Sequence, residues 1–171
     1  GKGKKLLIIN PSWEQEDLIL ESYDAQYSLY AIYFNKENKY QKYFTSSIHL
    51  DFKDYSKALI FLKLNQIDFI ISSQCDYSLQ MQAYLANKVK VPSVGLRQAQ
   101  ISCNKFLQRT ICKKFPYINQ PRFKLCFDLE STKKAVIFLK KETIIKPIDN
   151  RGSMGVSINN GTEFIKDNVM L

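Results

Sequence analysis

The sequence predicts an α/β protein, an open and mostly parallel sheet with helices on both faces, followed by a smaller α+β lobe. Three observations predict it. The runs at 6–10, 28–35 and 67–72 are apolar almost throughout instead of alternating, as in strands buried on both faces. Segments of helical period alternate with them, and parallel strands need crossovers of that kind. After "VPSVG" (91–95) the order changes to helix, extended run, helix and two short strands.

Taken in order, "LLIIN" (6–10) is a buried strand ended by Asn-Pro-Ser, and a polar stretch with Trp13 follows it. "SLYAIYFN" (28–35) and "YFTSSIHL" (43–50) are the next strands. In 51–66 the period changes: Asp51 and Asp54 stand like a cap and its partner three residues on, and Tyr55, Ala58, Leu59 and Leu62 fall at helical spacing. "IDFIIS" (67–72) is a strand, and "SLQMQAYLANKVK" (78–90) is a helix with Met81, Tyr84, Leu85 and Lys88 along one stripe. The proline and glycine of 91–95 set the expected boundary, giving domains 1–95 and 96–171. In the second, the patterns predict a helix over 101–115, a connection around Pro116 and Pro121, and a strand "RFKLCF" (122–127). A helix over 128–141 capped by Asp128, strands "TIIKPI" (143–148) and "VSINN" (156–160), and the start of a helix over 161–171 complete it.

A chain of 171 residues with 45% hydrophobic content suffices for one domain or two small lobes. No run approaches the roughly 18 apolar residues of a membrane span, and the opening GKGKK leads into too short an apolar run for a signal peptide, so a soluble, cytoplasmic protein is expected. The chain starts at Gly1 and stops at Leu171 inside the last predicted helix, which suggests a piece of something longer. Cys75, Cys103, Cys112 and Cys126 form no CxxC pair and His49 is the sole histidine, so neither a zinc knuckle nor a disulfide framework has its spacing. The net charge of +9, from 25 Lys+Arg against 16 Asp+Glu, favours anionic partners: nucleic acid, acidic lipid or a phosphorylated small molecule.

Four features carry candidate chemistry. Alternation puts Lys146 on one face of "TIIKPI" between Ile144 and Ile148, where an ammonium either snorkels or meets an anion. The connection "DNRGSMG" (149–155) is long for a hairpin, and Gly152 and Gly155 let its backbone approach a ligand, with Ser153 adding a hydroxyl. Lys105 and Arg109, four apart, share a helix face that an anion would neutralise. "YFNKENKYQKYF" (33–44) interleaves Lys36, Lys39 and Lys42 with Tyr40, Tyr43 and Phe44, as binders of single-stranded nucleic acid do; the competing reading is a polar hairpin with its aromatics tucked beneath. Ser102-x-x-Lys105 matches a serine-enzyme tetrad, but neither SDN nor KTG occurs, and His49 falls in a strand pattern, where a structural imidazole is the expected reading.

The order "VPSVGLRQAQISCNKFLQRTICKKFPYINQPRF", an acid-capped helix and then "TIIKPIDNRGSMGV" resembles the ATP-grasp superfamily, especially its carboxylate–amine ligase and carbamoyl-phosphate-synthase-like branches. The resemblance is loose over 6–95 and tighter over 91–158. It implies a Rossmann-like pre-ATP-grasp domain and then the start of the small lobe of an ATP-grasp domain. It further implies that Lys105 and Lys146 bind ATP phosphates, and that Gly152, Ser153, Met154 and Gly155 form the flap over the γ-phosphate. Arg109 joins this set from helix spacing alone.

The implied reaction phosphorylates a small carboxylate with Mg-ATP and lets an amine displace phosphate from the acyl phosphate. The residues that hold adenine and Mg2+ would lie beyond Leu171, so the fragment alone is expected to bind ATP weakly and to be inactive. In place of the glycine-rich turn that some relatives carry after the first strand, this chain has "NPSWEQE". The resemblance allows a homodimer of the full-length protein and gives nucleic acid no part. The alternative is a non-catalytic basic α/β module that binds single-stranded nucleic acid or regulates.

Overall fold

A computed structural model describes the protein over residues 2–36, 39–139, 142–150, 152 and 154–159. By contacts it divides into two units, Gly1–Cys103 and Asn104–Leu171. The first runs β1 (Lys5–Ile9), α1 (Glu16–Asp24), β2 (Ser28–Tyr33), β3 (Ser46–His49), α2 (Tyr55–Asn65), β4 (Phe69–Ile71), α3 (Asp76–Val89) and α4 (Leu96–Cys103). Its four strands form one parallel sheet in the order β3-β2-β1-β4, with Leu7 beside both Tyr30 and Ile70.

Unbroken apolar runs suit this sheet because both of its faces are covered. On one face Leu7, Ile9, Tyr30, Ile32 and Ile70 pack with Ala58, Phe61 and Leu62 of α2 and Met81 and Leu85 of α3. On the other, Leu6, Ile8, Leu29, Ala31 and Tyr33 pack with Ile19 of α1 and with Tyr40 and Phe44. Burying one such side chain is worth about 1.5–3 kcal/mol, so the two layers dominate the stability of this unit.

Local chemistry moves some boundaries from where the sequence patterns put them. The polar stretch after β1 holds a 3-10 turn, Trp13–Gln15, and then α1, whose described face buries only Ile19 and Ser22, too few apolar positions to show a period. Asp54, not Asp51, caps α2 by accepting from the Lys57 amide at 3.2 Å, while Asp51 accepts from the Lys53 amide at 2.8 Å in the preceding turn. α4 packs on α3 and buries Ala99 and Cys103, so by contacts it lies with the first unit although it follows residue 95.

The second unit contains α5 (Lys105–Cys112), α6 (Leu129–Leu139), and an antiparallel pair, β5 (Thr143–Ile145) and β6 (Ser157–Asn159). The single helix expected over 101–115 is two, because Asn104 adopts an extended backbone and caps α5. The strand expected over 122–127 is absent. That segment finds no sheet edge among the described residues and is held by side chains: Phe123 meets Phe106 edge-on at 5.9 Å, and Arg122 and Lys124 lie over the Phe138 ring at 4.8 and 4.6 Å. Asp128 caps α6 as expected, its Oδ1 accepting from the Ser131 amide at 2.7 Å. The helix expected over 161–171 lies outside the described residues. Among the described residues no helix is long and apolar enough to cross a membrane.

Candidate functional site

The site begins with the break at Asn104. Its backbone is extended (φ −124°, ψ 109°) and its Oδ1 accepts from the Leu107 amide at 2.9 Å, so α5 starts at Lys105. That start is tied to the chain after β5: the Lys105 amide donates to Ile148 O at 2.8 Å, and Lys105 Nζ donates to Asn150 O at 2.5 Å. A hydrogen bond from a charged group is worth about 1.5–3 kcal/mol, so the Lys105 ammonium is a fixed element of this junction.

Lys146 lies two residues before Ile148. The alternation reading put it inside a strand, but β5 ends at Ile145, paired with Ser157, and Lys146 is the first residue past it. Pro147 is the reason, since it has no amide hydrogen to continue the ladder. The alternation itself persists: Ile144, Lys146 and Ile148 are exposed, while Ile145 and Pro147 are half-buried. Ile144 is 65% exposed and its cross-strand partner Ile158 is 60% exposed, so the ammonium stands beside an open apolar surface. Among the described residues no carboxylate pairs with it.

The connection from β5 to β6 needs two glycines for different reasons. Gly155 has φ +72° and a Cβ there would come within 2.8 Å of Pro147 Cγ, so the loop folds back directly onto the residue after Lys146. Gly152 has φ +57° but a Cβ there would meet nothing within 4 Å, so only its backbone conformation asks for glycine. Met154 is exposed, and Ser153 lies outside the described residues. At the base of the hairpin Asn159 Nδ2 donates to Thr143 Oγ1 at 3.3 Å, both side chains being buried, which fixes the register from which Lys146 projects.

The structure thus brings Lys105 to the loop that starts after Lys146. Arg109, one turn further along α5, instead donates to Gln120 Oε1 at 2.9 Å and braces the connection after the helix. The carbonyls of Ile148 and Asn150, which accept from Lys105, are the atoms that the sequence patterns miss, and no side chain signals a backbone acceptor. Asn104 was legible in principle, because an Asn followed by a helical run is a strong capping signal.

The other candidate residues have structural roles. No group of three His, Cys, Asp or Glu among the described residues could hold a metal ion. Burial, and then the Asp76 charge, push the Cys103 thiol up, and its Sγ donates to Asp76 O at 3.2 Å, the setting of a buried structural cysteine. His49 Nε2 sits 3.3 Å from Phe34 O, a structural contact. In the segment 33–44, Lys39 and Lys42 lie 5.0 and 4.9 Å from the rings of Tyr40 and Tyr43, but Tyr40 is buried and Tyr43 meets Tyr23 edge-on at 5.3 Å. Those rings serve packing.

With this geometry in hand, comparison with solved structures finds the same fold. The chain is similar to N5-carboxyaminoimidazole ribonucleotide synthetase from Thermotoga maritima, with a TM-score of 0.71 and 20% identity, over 96% of this chain and 44% of that one. It is similar to the L-amino acid ligase from Bacillus licheniformis, with a TM-score of 0.69 and 15% identity, over 95% and 40%. A third is N5-carboxyaminoimidazole synthetase from Staphylococcus aureus complexed with ADP, with a TM-score of 0.70 and 15% identity, over 95% and 42%. The chain therefore spans about two fifths of the length of these proteins. No family model matches the sequence, and no curated protein matches it.

Proposed function

Because the chain has the N-terminal fold of ATP-grasp ligases, we propose that it is the N-terminal part of an ATP-dependent ligase that joins a small carboxylate to an amine. In this reading the γ-phosphoryl group passes to a carboxylate oxygen and ADP leaves; the amine nitrogen then attacks the acyl carbon, phosphate leaves and an amide forms. Lys146 and Lys105 bind the phosphates, and the loop with Gly152, Ser153, Met154 and Gly155 closes over them. The boundary between the pre-ATP-grasp domain and the small lobe lies after residue 95.

One observation carries this reading: Lys146, just past the end of β5 and without a carboxylate partner among the described residues, stands beside an open apolar surface and next to a loop whose start Lys105 grips. A nucleotide presents a flat, weakly polar base and a polyanionic tail, and that surface offers a counterpart to each. The solved complex with ADP is of a protein with this fold, which supports a nucleotide here too. No group of three His, Cys, Asp or Glu gathers among the described residues, and this reading assigns Mg2+ no ligand there.

The test is calorimetric titration of the full-length protein with Mg-ATP. Lys146→Ala is expected to weaken binding at least about tenfold, the equivalent of one charge-assisted contact, and Lys146→Arg to restore most of it. Equal affinity in a folded Lys146→Ala variant overturns the reading.

A further inference from the structure

We propose that the connection between α5 and α6, residues 113–127, binds single-stranded nucleic acid, its exposed rings stacking on bases and its cations meeting phosphates. The proposal goes beyond the ligase reading and does not rest on it, and every residue it invokes belongs to the second unit. From Tyr77 to Phe127 the chain has no Asp or Glu, while 113–127 holds Lys113, Lys114, Arg122 and Lys124. The two acids that come next are occupied, Asp128 in capping α6 and Glu130 in pairing with Lys134 at 2.6 Å. The four cations are exposed, and none has a carboxylate partner among the described residues. Such a surface attracts a polyanion.

Stacking needs rings with an open face, and this segment has them. Tyr117 is 79% exposed, Phe127 73% and Phe115 41%. The segment 33–44 interleaves cations and rings in the same way but puts its rings to another use, since Tyr40 is buried and Tyr43 meets Tyr23 edge-on. The later segment is also held in place. The Phe115 amide donates to Cys112 O and the Ile118 amide to Phe115 O, both at 3.0 Å. Gln120 accepts from Arg109, Phe123 packs on Phe106, and Arg122 and Lys124 lie over Phe138. Pro116 precedes Tyr117 and Pro121 precedes Arg122, each with its φ fixed by the ring. Groups held in this way lose little freedom when a strand settles on them.

The kind of exposed side chain selects the polyanion. Within 113–127 the large apolar side chains that are exposed are three rings and one aliphatic, Ile118, while Leu125 is half-buried. The aliphatic exposure of this unit lies instead on α6, at Ile137, and on the hairpin, at Ile144 and Ile158. An anionic lipid surface is held by apolar side chains that enter the acyl boundary, and it makes no special use of rings flanked by cations. A duplex keeps its bases stacked on one another and offers only its phosphates. An unpaired strand offers both base faces and phosphates, which matches open rings with cations beside them.

The full chain, without nucleotide, is titrated into fluorescein-labelled oligo(dT) of about 15 nucleotides, with anisotropy followed at several salt concentrations. Binding that weakens steeply with salt is expected, with a duplex of the same length bound more weakly. Tyr117→Ala, at an exposed position and checked for folding by circular dichroism, should weaken the single strand at least about fivefold, and Tyr117→Phe, which keeps the ring, should restore it. Replacing Lys113 and Lys114 together by Gln should flatten the salt dependence. Lys39→Gln, among the packed rings of 33–44, should change affinity less than Tyr117→Ala does. Lys146→Ala should leave the oligonucleotide bound as before, so binding of oligo(dT) by a protein that binds no ATP would overturn the ligase reading and leave this surface standing. No binding at low salt, a duplex bound as tightly, equal affinity in Tyr117→Ala, a larger effect at Lys39, or binding of phosphatidylserine vesicles without binding of oligo(dT) overturns the proposal.

Discussion

The two units place their apolar residues in opposite ways. In the first, Leu7, Ile8, Ile9, Ile32 and Leu85 are fully buried between the sheet and its helices. In the second, the buried side chains among the described residues are Thr132, Thr143 and Asn159, all polar, while Leu107, Ile137, Phe138, Ile144 and Ile158 are exposed. A sheet with helices on both faces closes its own core, whereas a two-stranded hairpin leaves one face open. The proposed chemistry lies in the second unit, which presents an open apolar face beside Lys146 and, between α5 and α6, exposed rings among cations.

Core truncation should expose this contrast most strongly. Ile9→Ala in β1 is expected to cost about 2–5 kcal/mol of stability, because the covered sheet cannot collapse around the cavity. Ile144→Ala in β5 should change stability by no more than about 0.5 kcal/mol, since its side chain is mostly in solvent. Urea titration followed by Trp13 fluorescence reads the first unit, and hydrogen exchange of the Lys105 amide reads the second. A loss at Ile144 as large as at Ile9 would mean that the hairpin face is covered in solution, and would break the comparison.

The legibility of the sequence divides along the same line. β1 and β2 were readable because burial on both faces makes their apolar runs nearly continuous, and β4, an edge strand in which only Ile70 is buried, because its run is apolar all the same. α3 was readable because a covered helix needs a stripe, here Met81 and Leu85. α1 was not, since its buried face is only Ile19 and Ser22. In the second unit "RFKLCF" has the composition of a strand but no partner edge, and pairing cannot be read from one segment. Lys105 and Lys146 were legible as cations at unusual positions; that Lys105 docks on the carbonyl of Asn150 was not, because backbone acceptors carry no residue identity.

A smaller effect separates the two glycines of the connection from β5 to β6. Gly155→Ala combines an unfavourable φ with a Cβ 2.8 Å from Pro147 Cγ, whereas Gly152→Ala meets only the unfavourable φ, roughly 1–2 kcal/mol. Gly155→Ala should therefore speed exchange of the Lys105 amide, which is bonded to Ile148 O beside this turn, more than Gly152→Ala does. Equal effects would show that the contact with Pro147 does not hold the loop.

The smallest expected effect is one in which the units should agree. Asp128 in the second is held below the ordinary carboxylate range chiefly by the Ser131 amide, and Asp54 in the first chiefly by its hydrogen bond with the Lys57 side chain. A depressed folded pKa means that the cap contributes stability above the ordinary aspartate value, about 3.9, and loses it as pH falls through the depressed one. The start of α6 and the start of α2 should then loosen over the same acidic window, as read by amide chemical shifts of Ser131 and Lys57. Asp128→Asn should remove the transition at Ser131 and leave that at Lys57 intact. Agreement here would sharpen the larger contrast: caps are local and indifferent to the core beneath them, so the units differ in burial and not in how well their helices are begun.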